Sequence, residues 1–305
     1  MAASIVPTKT YHKSTYPSLD PTRPELSAKG KTIIITGGGT GIGAEAARYF
    51  AKAGASRVAI LGRREQPLLD TKAAINAESP STEILAIATD ITKLDQVKSA
   101  FERVAGDGKI DVLCANAAVL GPVREIAASD SAEWLGAVTI NLQGNFNVAT
   151  EFLRHAAKDA AIIDTNSTAA HLDIAAAFSC YNVSKMAVAR FYMSVQYEHP
   201  ELSVFSIQPG AVATDMNKSA GYKPAKEGED LEWKGVSKAA DMLLGGYDDA
   251  SLPASFMVWL ASPEARFLKG KFLWANWDVE ELKARKEEIE GTTLLSIGLQ
   301  GWASG

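Results

Sequence analysis

Cysteine and histidine are scarce in this chain, with two cysteines, Cys114 and Cys180, and four histidines among 305 residues. Two isolated thiols make no disulfide framework, and histidines without clustering give neither a metal pattern nor a hydrolase triad. Cys180 has no identifiable activating partner and reads as packed, not nucleophilic. No apolar run approaches the ~20 residues a membrane helix requires. The N-terminus shows no basic-then-apolar leader and the last residues carry no address signal, so a cytoplasmic, reducing location and no membrane partner are expected. No block of Lys and Arg is interleaved with aromatics, and 31 basic against 36 acidic side chains leave a formal charge of -5. That balance argues against a nucleic-acid partner. A repeat of solenoid length is also missing, which excludes an array architecture.

What is present is ordinary for a globular protein: 47% hydrophobic and 22% charged residues, enough for one substantial core. Residues 1–29 hold four prolines (Pro7, Pro17, Pro21, Pro24) among Ser, Thr and Lys. This composition predicts an extended N-terminal arm leading into the body. From Lys31 onward, short β-branched runs alternate with helical patterns. Strands are expected at 32–36, 57–61, 83–88, 112–115 and 161–164, and helices at 43–53, 65–77, 94–104 and around Asn141. Such alternation implies βαβ units and a doubly wound parallel sheet of the Rossmann type, an α/β fold covered on both faces. The predicted domain spans 30–278. Within it, 215–238 mixes Gly, Lys, Glu, Pro and aromatics and reads as a substrate lid. A helix at 256–260 and a last strand at 271–275 follow. Residues 279–305 form a C-terminal extension, with a charged amphipathic helix at 279–290 and an apolar tail expected to dock on the body or on another subunit.

The run Thr36-Gly37-Gly38-Gly39-Thr40-Gly41-Ile42-Gly43 follows an apolar strand and opens an alanine-rich helix. Glycines there permit a tight turn and close approach of a pyrophosphate, which the free amides and positive end of the helix stabilise. The spacing Gly37-x3-Gly41-x-Gly43 leaves open which glycine meets phosphate. After the second strand stand Gly62-Arg63-Arg64. No acid occupies Gly62 to accept from a ribose 2′-hydroxyl, whereas Arg63 and Arg64 can hold a 2′-phosphate. NADP(H) is therefore preferred, with NAD(H) as the alternative through Glu65.

Tyr181 and Lys185 are four residues apart. On a helix this spacing puts phenol and ammonium on one face, where the cation favours an ionised phenol and suits the tyrosine to proton transfer.

Read together and in order, these motifs resemble the classical short-chain dehydrogenase/reductase family from about Lys31 to Ala275, and the reductases of fungal biosynthetic pathways in particular. The resemblance makes Thr36 to Gly43, with Gly37, Thr40, Gly41, Ile42 and Gly43, the cofactor turn. It places Asp90 and Ile91 at the adenine and Asn116, in Asn116-Ala117-Ala118, after the fourth strand. Asn141, Ser167, Tyr181 and Lys185 match the catalytic tetrad, with Tyr181 and Lys185 also touching the cofactor. Pro209, Gly210, Val212 and Thr214 match the segment that grips the nicotinamide carboxamide. The chain departs from the family at Ala118, where glycine is usual, at Asn166-Ser167-Thr168, where paired serines are usual, and at Asn276-Trp277-Asp278 after the last strand. Thr168 is thus a rival hydroxyl to Ser167. His171, Phe178 and Tyr222 are candidate substrate contacts, and no metal site is expected.

The implied activity is hydride transfer between NADP(H) and a ketone or secondary alcohol, with Tyr181 as general acid/base and a small-molecule substrate as partner. A homodimer or homotetramer through helix-helix contact is expected from the resemblance. Two alternatives stay open on the same fold: a non-redox isomerase, lyase or cyclase using Tyr181 for proton transfer only, and a non-catalytic NADPH-binding protein.

Overall fold

A computed structural model of the chain describes residues 7–172, 176–216 and 247–299. Its centre is a seven-stranded sheet in the order β3-β2-β1-β4-β5-β6-β7, all parallel. The strands are β1 Thr32–Thr36, β2 Arg57–Gly62, β3 Glu83–Ala88, β4 Ile110–Ala115, β5 Ala156–Thr165, β6 Ser203–Gln208 and β7 Phe272–Trp274. The helices are α1 Gly41–Lys52, α2 Glu65–Glu78, α3 Leu94–Ala105, α4 Ser131–His155, α5 Ser179–Glu198, α6 Ser251–Leu260, α7 Val279–Ala284 and α8 Lys286–Ile289.

The central strands carry apolar residues on both faces, because helices cover both. In β1, Ile33 and Ile35 enter one core with α1, α2 and α6, while Ile34 enters the other with α3, α4 and α5. β2 divides likewise, Val58 and Ile60 against Ala59 and Leu61. Strand order reverses between β1 and β4, and the crevice at the carboxyl ends there is where an open α/β sheet binds ligands.

Three expectations require correction. Residues 7–29 are not an extended lead-in: they form 3-10 turns at Pro17–Leu19 and Pro24–Leu26, and Leu19, Leu26 and Ala28 are core residues. Proline at the first position of each turn is compatible with a tight helix, which composition alone reads as extension. The 279–290 helix is two pieces broken at Arg285, whose backbone leaves helical geometry while its guanidinium reaches Glu288 and the carbonyl of Pro7. The last strand is shorter than 271–275. The tail behaves as expected over its described part: Leu295 and Ile297 pack on the core, and the Phe272 amide donates to the Leu295 carbonyl at 2.7 Å.

Candidate active site

The glycine turn closes on itself so tightly that two positions admit no side chain. A Cβ on Gly43 would lie 2.3 Å from the Gly37 carbonyl oxygen, and Gly37 has φ +69° with Asn116 Nδ2 2.9 Å from where its Cβ would be. Asn116 holds this turn: Nδ2 donates to the carbonyls of Thr36 at 3.0 Å and Gly37 at 3.4 Å. Thr36 Oγ1 accepts from the amides of Asn116 and Ala117, both at 2.9 Å. The first helical residues, Gly41, Ile42 and Gly43, present the α1 N-terminus, and the methyl of Thr214 would meet a Cβ on Gly41 at 3.1 Å.

Beside the turn lies a cleft of about 440 Å³ bordered by Gly37, Thr40, Arg63, Arg64, Asp90 and Ile91, and also lined by Ala117, Ala118 and Val119. The Asp90 carboxylate accepts from the Thr92 amide at 2.9 Å and hydroxyl at 2.8 Å. The Thr92 amide, with Arg63 and Lys93 nearby, holds its carboxyl below the usual range. Arg64 lies 3.9 Å from Asp215, both largely exposed, so the pair contributes little to stability.

Tyr181 and Lys185 stand one turn apart near the start of α5. Lys185 Nζ is 5.7 Å from the Tyr181 ring centroid and donates to the Thr165 carbonyl at 2.7 Å. Ser167 is just beyond β5, where a 3-10 turn at Thr168–Ala170 packs on α5; its Oγ accepts from the Ala169 amide at 3.2 Å. Thr168, the rival hydroxyl, is anchored through its amide to Gln208 Oε1 at 2.9 Å. Asn141 is buried on α4, with Oδ1 accepting from the Val119 amide at 2.8 Å and Nδ2 donating to the Val119 carbonyl at 2.9 Å. Its amide thereby fixes the cleft wall. Its backbone carbonyl accepts from Asn145 Nδ2 at 2.8 Å.

Beyond β6, Pro209 and Gly210 lead into Ala211, whose amide donates to Asp248 Oδ2 at 2.7 Å. Val212 forms a parallel bridge with Asp248, so the residues flanking the expected lid are joined. A Cβ on Gly210 would sit 2.5 Å from that carboxylate.

A model of the short chain dehydrogenase family matches residues 31–225, which include the glycine turn, Asp90, Asn141, Ser167, Tyr181, Lys185 and Thr214. The chain belongs to this family. It is 36% identical to a short chain dehydrogenase/reductase of Claviceps purpurea over 96% of this chain and 94% of the relative. It is 32% identical to another, AacuD of Aspergillus aculeatus, over 97% and 98%. Among solved structures, a short-chain dehydrogenase/reductase from Serratia marcescens superposes with a TM-score of 0.68 at 25% identity, over 81% of this chain and 96% of that one. Short-chain dehydrogenases are oxidoreductases on a fold that binds a nicotinamide cofactor, and this cleft fits such a group. It combines a helix N-terminus, a turn that admits no side chain at Gly37 or Gly43 and two arginines where β2 ends.

In this short-chain dehydrogenase, several positioning residues were not legible from motifs. Asp248 and Gln208 act through contacts between distant segments, and Asn145 steadies Asn141 from one turn along α4. His171 is tied back to the sheet: Nε2 faces Trp274 Nε1 at 3.2 Å, and its ring meets Phe272 edge-on at 4.8 Å between centroids. His171 is an exposed residue, yet partial desolvation of its ring against these neighbours lowers its pKa. Phe178 is buried at the residue preceding α5. Cys180 is packed, with Sγ donating to the Trp134 carbonyl at 3.3 Å, and burial raises its pKa. Tyr222 and most of the 215–238 segment lie outside the described residues. Among the described residues no cluster of His, Cys, Asp and Glu could hold a metal, and no helix is long and apolar enough to cross a membrane.

Proposed function

We propose that this short-chain dehydrogenase transfers a hydride between NADP(H) and a ketone or its secondary alcohol, with Tyr181 as general acid and base. The carrying observation is the placement of Tyr181 and Lys185 on one face of α5, fastened by Lys185 to the strand that leads into Ser167. The cofactor, when bound, supplies or accepts the hydride. In the reducing direction, the Tyr181 hydroxyl gives its proton to the substrate carbonyl oxygen, and in oxidation it takes the proton from the alcohol. Ser167 Oγ donates a hydrogen bond to the same oxygen and stabilises the charge developing there. Lys185 supports Tyr181 electrostatically, and Asn141 shapes the path by which the proton returns to solvent.

Arg63 and Arg64 would hold the 2′-phosphate, Gly37 and Thr40 would face the pyrophosphate, and Pro209 to Thr214 would meet the carboxamide. Two arginines border the cleft at the end of β2 and Gly62 offers no acid, which supports NADP(H) over NAD(H). The fungal relatives support a substrate from fungal secondary metabolism, and we propose a cytoplasmic location. Phe146 on α4 with Val183 and Met186 on α5 are exposed apolar residues that support a homodimer or homotetramer by helix-helix contact. Light scattering during gel filtration reads that state directly.

The test is oxidation of NADPH and of NADH with a panel of cyclic and aliphatic ketones, comparing wild type with Tyr181→Phe. NADPH turnover that disappears in the variant supports the reading. Equal rates in the two proteins overturn it.

A further inference from the structure

Between β5 and α5 lies a buried polar group that the hydride-transfer chemistry does not use. Asn166 Nδ2 donates to Asp164 Oδ2 at 2.6 Å and to the Lys185 backbone carbonyl at 3.1 Å. Asn166 Oδ1 accepts from the Ser167 amide at 2.9 Å, and its own amide donates to the Ile207 carbonyl at 2.8 Å. Asp164 Oδ2 also accepts from Ser206 Oγ at 3.0 Å, directly across from it in the β5/β6 register. Asp164 and Asn166 are buried, at 1% and 2% exposure.

The arrangement admits one orientation of the amide. Reversing it would set Nδ2 against the Ser167 N–H and Oδ1 against both a carboxylate and a carbonyl, three repulsive contacts in place of three bonds. A serine at this position has one hydroxyl hydrogen and cannot bond Asp164 and the Lys185 carbonyl together. A buried carboxylate needs donors around it, so Asp164 in turn holds the amide in place.

We propose that Asn166 is a positioning residue: its amide, braced by Asp164, couples the turn bearing Ser167 to the helix bearing Tyr181 and Lys185 and sets the spacing between them that turnover requires. The inference rests on the hydride-transfer reading, since it assigns Asn166 to the alignment of those groups. Asn166 reaches no reacting atom; it acts through Ser167 and Lys185. A displacement of about 1 Å between reacting groups costs on the order of a hundredfold in rate, so loosening one of two anchors is expected to lower kcat ten- to a hundredfold.

The experiment compares Asn166→Ser, the exchange variant Asp164→Asn/Asn166→Asp, and Tyr181→Phe, each with NADPH and the ketone that wild type reduces fastest. It reads kcat, KM, the solvent deuterium isotope effect on kcat, NADPH affinity by fluorescence, and Tm. For Asn166→Ser the expected result is NADPH affinity and KM within about threefold of wild type, kcat down ten- to a hundredfold, and a larger solvent isotope effect because proton transfer becomes slower. The exchange variant rebuilds a carboxylate–amide bond but turns a carboxylate oxygen toward the Lys185 carbonyl. It is expected to regain part of the lost Tm, through the rebuilt bond, without regaining kcat.

Wild-type kcat in Asn166→Ser, or recovery of kcat together with Tm in the exchange variant, overturns the positioning role. If Asn166→Ser fails to fold, the exchange variant decides by the same criterion. Loss of activity in Tyr181→Phe alongside an unimpaired Asn166→Ser removes this inference alone, whereas full activity in Tyr181→Phe removes the hydride-transfer reading beneath it.

Discussion

The Lys185 ammonium donates to the carbonyl of Thr165 at 2.7 Å, bridging α5 to the end of β5 from a position only 5% exposed. The same cation lies near Asp164, where it opposes the upward pKa shift that burial imposes on that carboxyl. Lys185 therefore has a structural duty as well as its proposed catalytic one.

Lys185→Met is expected to abolish turnover and to cost about 1–3 kcal/mol of stability, because the buried Thr165 carbonyl loses its donor. The loss should grow with pH. A carboxyl whose folded pKa is raised binds its proton more tightly folded than unfolded, so its favourable contribution is present at low pH and fades as pH rises through the folded value. Without the cation Asp164 rises further, and Tm of the variant relative to wild type should fall as pH rises above the ordinary carboxyl range. A Tm difference that is flat with pH there contradicts the coupling.

The sheet was legible because its central strands are short β-branched runs, buried on both faces and ended by glycine or polar turns; β1 and β3 match their expected bounds. β5 was read short. Its first residues, Ala156 to Asp159, are partly or fully exposed and follow α4 without a turn residue, so periodicity carries no strand signal there. Tyr181 and Lys185 were legible because their relation is local to one helix. Asp248 and Gln208 were not, since each acts on a loop some 40 residues away in sequence, Ala211 and Thr168 respectively, and only the sheet brings them together.

Gly43→Ala should be among the most damaging small substitutions. The added methyl meets the Gly37 carbonyl oxygen at 2.3 Å and Asn116 Nδ2 at 2.7 Å. One of these is backbone inside the turn and the other is held by two bonds, so neither yields cheaply. A loss of about 1–3 kcal/mol is expected, accompanied by weaker NADPH binding as the turn shifts. Gly136→Ala is the control: it lies within α4 with nothing within 4 Å of its new methyl, and should stabilise by about 0.5–1 kcal/mol. Thermal melts with and without NADPH compare the two.

His171 predicts a pH-dependent stability of defined sign. Partial desolvation of the ring against Phe272 and Trp274 depresses the folded pKa of this otherwise exposed residue, and its Nε2 can accept from Trp274 Nε1 only while that nitrogen is unprotonated. As pH falls from 8, the unfolded chain takes up a proton near 6.5 before the folded protein does, so this residue's share of stability declines from there through the folded pKa. His171→Gln keeps an acceptor for Trp274 and removes the titration. Tm plotted from pH 8 to 5 should fall less steeply in the variant than in wild type; parallel curves would show that the ring titrates as it does in the unfolded chain.

The N-terminal segment should behave as part of the core. Leu19 is fully buried, and upstream of it the His12 amide donates to the Asn276 carbonyl at 2.8 Å while Asn276 Nδ2 returns a bond to the His12 carbonyl at 2.9 Å. The Lys9 and Thr10 amides both donate to the Glu281 carboxylate, at 2.6 and 2.9 Å. Asn276 and Glu281 stand on either side of Trp277, so the segment covers the stretch that follows β7. Leu19→Ala is expected to cost about 2–5 kcal/mol through lost burial and the cavity left behind. Glu281→Gln, at the solvent-facing rim, should leave the midpoint little changed. Urea unfolding should show the first effect as a large fall in midpoint with an unchanged slope; a Leu19→Ala midpoint equal to wild type would return the segment to the status of a loose arm.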